Sequence, residues 1–167
     1  MPDNPALERA KKFLDKFELN LEPKEHKETT KTVAEAAAAI GVEEGQIAKT
    51  ILFRAGTSYG LFVAAGDITI DNKKVKALLD GGKVRIAKPD EVEEITGYRV
   101  GGVCPFDIDK SIPIFLDSSM DRFDKVYSAA GSGHSYLPIT LQELEHVTGG
   151  TVVDMKKNQL EQLASEN

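Results

Sequence analysis

The chain has little of what usually announces a chemistry. Cysteine occurs once, at Cys104, so no internal disulfide can form. A lone thiol fits a reducing compartment and points to the cytoplasm. Histidine occurs three times, as His26, His134 and His146, far apart in sequence, and there is no CxxC, HExxH or EF-hand pattern. No metal site is expected on that basis. No cofactor motif is present either, because the glycine-rich GSGHS at 131–135 is neither a Walker loop nor a GxGxxG fingerprint. No apolar run approaches the ~20 residues of a membrane helix. The N-terminal MPDNPALERAKKF is too charged for a secretory signal. Positive charge is also short, with a net charge of −6 and a pI of about 5.2. That balance argues against a protein that coats nucleic acid along its length, but leaves room for one that grips a single RNA end.

What is present is the composition of a globular protein, 41% hydrophobic and 29% charged over 167 residues. That is enough for one domain with a real core, and without a repeat or a splitting linker it is read as a single domain over 1–167. Lys73, Lys74, Lys76, Lys83, Arg85 and Lys88 crowd into 16 residues. They read as a solvated helix face rather than a phosphate patch.

Helical spacing of Leu7, Ala10, Phe13, Leu14 and Phe17, with Asn4-Pro5 before them, predicts a helix over 4–17. ELNLE at 18–22 reads as a short strand, followed by the polar connector EHKETTK. TVAEAAAAIG is the clearest helix, with a Thr32–Glu35 capping box and Gly41 as its stop. Residues 49–65 read as a β-hairpin joined by AGTS. A helix follows from Asp71 to Asp80 with a Gly-Gly stop, then a strand in KVRIA and a helix opened by Pro89 and ended at Gly97. GGVCPFDI is an irregular loop. IPIFLD, KVYSAA and SYLPI are strands, the last carrying Pro138 and so expected at an edge or bulge. SSMDRFD and GSGH are turns. A helix with a Thr140–Glu143 capping box, a short strand TVVDM and a helical or frayed tail complete the chain. This order lacks regular βαβ alternation. It predicts an α+β fold with a mixed, largely antiparallel sheet and flanking helices.

One stretch resists a purely structural reading. In QIAKTILFR, Lys49 and Thr50 interrupt a run of residues suited to burial. A lysine that snorkels from a strand end fits this pattern, and so does one aimed into a cleft to hold a phosphate or carboxylate. The glycines at 101–102 and 131–133 suit close approach of a ligand to backbone, and equally suit simple turns. Cys104, set between glycines and a proline, reads as a small buried thiol rather than a nucleophile.

TVAEAAAAIGVEEGQIAKTILFR, LFVAAGD, GGVCPF, IPIFLD and YSAAGSGHSYLPIT, taken in order and spacing, resemble the YbaK/EbsC family of aminoacyl-tRNA editing proteins, which includes the editing domain of bacterial-type prolyl-tRNA synthetase. The resemblance covers roughly 20–155. It implies an α+β fold with a cleft open to the 3′ end of an aminoacylated tRNA. It also implies hydrolysis of the ester of a tRNA mischarged with a small amino acid, such as alanine or cysteine on tRNA-Pro, by a free-standing editor acting in trans. Lys49 matches the family's functional lysine and Thr50 its neighbour at the pocket mouth. Gly101 and Gly102, with Val103, match the glycine loop lining the pocket. Gly131, Ser132, Gly133 and His134 match the turn on the other wall. Cys104 departs from the small hydroxyl residue expected there. No metal and no cofactor are implied, and an aminoacyl-tRNA synthetase is a candidate partner. On this view backbone N–H groups of the two loops meet the developing oxyanion. Asp67, Asp107, Ser132 and His134 are lesser candidates for orienting water or the amino group. The alternative is a non-catalytic module that holds an aminoacyl-tRNA end or a nucleotide, or that partners a synthetase.

Overall fold

A computed structural model describes residues 5–27, 30 and 32–157. The Asn4 cap and most of the expected tail helix lie outside that range. Helix α1 (Pro5–Asp15) buries Leu7, Ala10 and Leu14, one stripe at helical spacing. The strand expected at 18–22 does not form. Glu18 and Asn20 have φ of 56° and 58°, a left-handed geometry that a β-ladder does not accept. A two-residue strand β1 (Lys24–Glu25) forms just after it instead.

Helix α2 (Val33–Ile40) carries the Thr32–Glu35 capping box with both hydrogen bonds made. Strands β2 (Ile47–Ala55) and β3 (Ser58–Ala65) form the hairpin, which starts two residues earlier than expected. Helix α3 (Asn72–Leu79) is capped by Asp71 and stopped by Asp80, itself at φ 48°, rather than by a glycine. Gly81 serves packing instead: a Cβ there would lie 2.2 Å from the Ala55 carbonyl oxygen. Strand β4 (Val84–Ile86) and helix α4 (Pro89–Thr96) follow. After a loop come β5 (Ile114–Asp117), a 3-10 turn at Ser118–Arg122 and β6 (Val126–Ser128). The described chain closes with β7 (Ser135–Ile139), α5 (Leu141–Thr148) and β8 (Thr151–Val153).

The strands form one mixed sheet in the order β1-β7-β6-β2-β3-β5-β8, with β4 also paired to β2. Four pairings are antiparallel, and the longest is β2–β3. Three short ones are parallel. The fold is therefore α+β with a mostly antiparallel sheet. Pro138 lies past the end of β1, which pairs only with Tyr136 and Ser135, so its missing N–H costs no ladder bond on that side.

One pairing detail places the site. β3 runs along one edge of β2 from Ala48 to Ala55. On the other edge β6 reaches only Ile47 and Ala48, and β4 only Phe53 to Ala55. Between them Lys49, Thr50 and Ile51 have no strand partner on that edge, and the sheet has a gap. Apolar packing holds the surroundings rigid. Leu7, Leu14 and Leu144 pack with Cys104 and Phe106 below the loop at 101–108. Val75 and Leu79 of α3 cover Phe53 and Phe62, and Val92 of α4 covers Leu52 and Leu61. Each such side chain contributes about 1.5–3 kcal/mol on burial.

Candidate functional site

The gap opens into a cleft of about 300 Å³. Val33, Ala36 and Ile40 of α2 form one wall, and Val100, Gly101 and Val103 another. Residues 47–51 of β2 run along it, and His26, Tyr127, Ser128 and Tyr136 close the far side. The walls are mainly small and apolar, with polar groups at a few points.

Thr50 is the residue most exposed to this arrangement. The Leu52 carbonyl accepts the Ala87 N–H on the β4 side, whereas the Ile47 carbonyl accepts the Gly66 N–H on the β3 side. Backbone groups alternate along a strand, so Thr50 turns its N–H and C=O toward the gap. Its Oγ1 is buried and has no hydrogen-bond partner among the described residues, and the same is true of His26 Nδ1. Native proteins leave few buried polar atoms unpaired, and these two belong to residues that line one cleft. The His26 ring stacks on Tyr136 at 5.6 Å between centroids, which fixes its orientation.

Lys49 is half-buried, and its Nζ donates to the Ile68 carbonyl at 2.5 Å. Burial pushes its pKa below the ordinary lysine value, while Asp67 and Asp117 act in the opposite sense. Lys49 lines the cleft, and among the described residues its ammonium has this one acceptor.

The two glycine loops meet each other. The Gly131 N–H donates to the Gly102 carbonyl at 3.0 Å, and a Cβ on Gly102 would lie 2.6 Å from Gly131 backbone. Gly101 and Val103 line the cleft, whereas Gly102 stands behind them. The 131–134 turn also stands behind the wall. The Gly133 carbonyl accepts both the N–H and the Oγ1–H of Thr30, each at 2.9 Å, and the His134 carbonyl accepts the His26 N–H at 2.8 Å. The Ser132 N–H donates to Ser135 Oγ at 3.2 Å. Gly131, Ser132, Gly133 and His134 thus hold the connector that carries His26 and Thr30. The N–H groups of Gly102, Gly131, Ser132 and His134 are spent inside the wall. Those of Gly101 and Val103 have no partner among the described residues.

The lesser candidates lie away from the cleft lining. Asp107 is clasped by Arg9 of α1, which donates to its carboxylate at 2.9 Å and to its carbonyl. Asp67 is held by Arg122. Cys104 is fully buried, and burial pushes its thiol up to about 12, so it is not a nucleophile at neutral pH. The sequence reading missed His26, Thr30, Tyr127, Tyr136 and the inner face of α2. The aromatic residues at 127 and 136 flank the YSAAGSGHSY segment and were the one available signal.

Three comparisons with known proteins bear on this cleft. The family described as Aminoacyl-tRNA editing domain matches residues 27–147. The uncharacterised protein YwhH of Bacillus subtilis is 41% identical over 136 residues, spanning 80% of this chain and 86% of that one. The proline–tRNA ligase of Lactobacillus johnsonii is 33% identical over 138 residues, which is 78% of this chain but 24% of the ligase. The chain therefore spans about a quarter of that ligase's length. Among solved structures, a candidate trans-editing enzyme for prolyl tRNA synthetase superposes with a TM-score of 0.84 at 32% identity, covering 93% of this chain and 99% of that one.

Proposed function

Because the chain belongs to the aminoacyl-tRNA editing domain family, we propose that its cleft hydrolyses the ester linking a small amino acid to the wrong tRNA, as on alanyl- or cysteinyl-tRNA-Pro, acting in trans. The observation that carries this reading is the sheet gap, where Thr50, Lys49, Gly101 and Val103, the last two with N–H groups unpartnered among the described residues, border one small cleft.

The chemistry asks little of side chains. Water adds to the ester carbonyl carbon, the bond to the ribose oxygen breaks, and the proton passes to that oxygen, releasing amino acid and tRNA. The barrier lies in charge building on the carbonyl oxygen. Preorganised N–H donors in a water-poor site stabilise it, and removing one such donor costs about 10²–10³ in rate elsewhere. The Gly101 and Val103 N–H groups supply donors of that kind. The Lys49 ammonium supplies positive charge for the ester region or the terminal phosphate. Val33, Ala36 and Ile40 leave room for a small apolar side chain. Binding alone discriminates such side chains weakly, and this is the need an editing site answers.

The test offers alanyl-, cysteinyl-, seryl- and prolyl-tRNA to the wild type and to Lys49→Ala. Selective cleavage by the wild type, falling about 100-fold or more in the variant, is expected. An unchanged rate in Lys49→Ala sinks the assignment. A folded wild type that binds these tRNAs and cleaves none would make the cleft a binding module.

A further inference from the structure

The Lys49 Nζ sits on the carbonyl of Ile68, the residue after Asp67, and makes no hydrogen bond to the Asp67 or Asp117 carboxylate. Asp67 and Asp117 both act on its charge, yet its hydrogen-bond partner among the described residues is the neutral Ile68 carbonyl. Both carboxylates are already taken. Asp67 is gripped by Arg122 in two-pronged fashion, Nη2 to Oδ1 at 2.6 Å and Nη1 to Oδ2 at 3.1 Å. Asp117 accepts the Ser119 N–H at 2.9 Å on one oxygen and the Met155 N–H at 2.5 Å on the other. A half-buried ammonium beside a vacant carboxylate would close onto it, because a charge-assisted bond there is strong. Of the three donors on Lys49, a closed pair would consume or shield those a substrate needs.

The two carboxylates differ in how firmly they are held. Asp117 is buried and tied by backbone groups, so no side-chain change releases it. Asp67 is tied by one side chain in a bridge whose members are 47% and 41% exposed, and is the one that could be freed. Lys156 also faces Asp67, and Glu43 and Asp117 act on Arg122. We propose that Arg122 is a positioning residue: its grip on Asp67 keeps that carboxylate off Lys49 and leaves the ammonium donors to spare for the substrate. This rests on the reading of Lys49 as the cation of an editing site.

Arg122→Gln removes the grip. Asp67 then pairs with Lys49, and kcat/KM for deacylation falls about tenfold. An added anionic partner favours the ammonium, so the alkaline limb of the pH profile moves up. Adding Asp67→Asn to that variant recovers most of the lost rate, since a neutral amide does not capture the ammonium. Arg122→Lys keeps the charge without the fork and falls between. An activity-independent readout is the titration of the Lys49 Nζ resonance in lysine-labelled protein, which should rise in Arg122→Gln and return in the double variant. A loss that Asp67→Asn does not rescue, or a Lys49 titration that does not move, overturns the proposal. An active Lys49→Ala protein would sink the editing-site reading of Lys49 while leaving the resonance prediction intact, so the two failures are separable.

Discussion

Lys49 and Arg54 sit on the same strand, five residues apart, and the chain treats their charges in opposite ways. Arg54 donates to Glu91 at 2.7 Å and to the Gly56 carbonyl at 2.7 Å, and lies over the Tyr59 ring. Glu91 also accepts from Arg85, from the Tyr59 hydroxyl and from the Lys88 N–H. That end of β2 is paired on both edges, and its polar groups are matched. At the other end Lys49 has one neutral acceptor, and Thr50 Oγ1 and His26 Nδ1, on residues lining the cleft, have no partner among the described residues. Polar satisfaction is nearly complete where β2 builds the sheet and incomplete where it borders the cleft. A buried donor or acceptor without a partner costs about 1–3 kcal/mol. The chain therefore bears a cost at the cleft that it avoids a few residues away. Such a cost is expected to persist where a ligand repays it.

By this contrast, damage at the Arg54 end should appear as lost stability with catalysis spared. Gly81→Ala is the severest case. The new methyl would meet the Ala55 carbonyl, which is backbone and cannot rotate away. A loss of roughly 1–3 kcal/mol is expected, read by denaturant unfolding. Deacylation by the protein that remains folded should match the wild type. Equal loss of turnover per folded molecule would erase the distinction between the two ends.

A milder probe is acid. The Arg85 guanidinium, then the Tyr59 hydroxyl, hold the Glu91 carboxyl well below the usual carboxylate range. A carboxyl depressed in the folded state contributes stability above its unfolded pKa of about 4.3 and loses it as pH falls toward the folded value. Glu91→Gln should therefore melt lower than the wild type at pH 7, with the gap narrowing below about pH 4. A gap independent of pH would mean that shape, not charge, holds α4 to the hairpin.

These two ends were not equally legible in the sequence. Local signals were read well: both threonine–glutamate capping boxes form as their three-residue spacing requires. So does the hairpin, because alternation and turn chemistry lie within one stretch. The strand expected at 18–22 failed because nothing in ELNLE reveals the left-handed Glu18 and Asn20. The stop after α3 moved from glycine to Asp80, since an aspartate also tolerates that geometry. Lys49, Thr50, Gly101 and Val103 were read onto the cleft by resemblance, and the structure places them on its lining. The gap itself was hidden. It follows from where β6 stops and β4 begins against β2, a matter of register between segments 30–80 residues apart. For the same reason the turn at 131–134 could not be seen to support the wall from behind.

The subtlest test lies at Thr50, where stability and activity should move apart. Thr50→Val keeps the shape and β-branching of the side chain and deletes only the unpartnered hydroxyl. Replacing an unsatisfied polar atom by an apolar one removes its desolvation cost, so the free protein should gain up to about 1 kcal/mol. Where that hydroxyl takes its partner from the substrate, kcat/KM should fall about fivefold, the worth of one neutral hydrogen bond. A loss of both stability and activity would show that Thr50 Oγ1 is paired in the free protein after all. A gain in stability with unchanged turnover would mean that the substrate does not reach this strand edge. Only the crossed result, a more stable protein that is a poorer deacylase, fits a strand end left unsatisfied for the sake of its ligand.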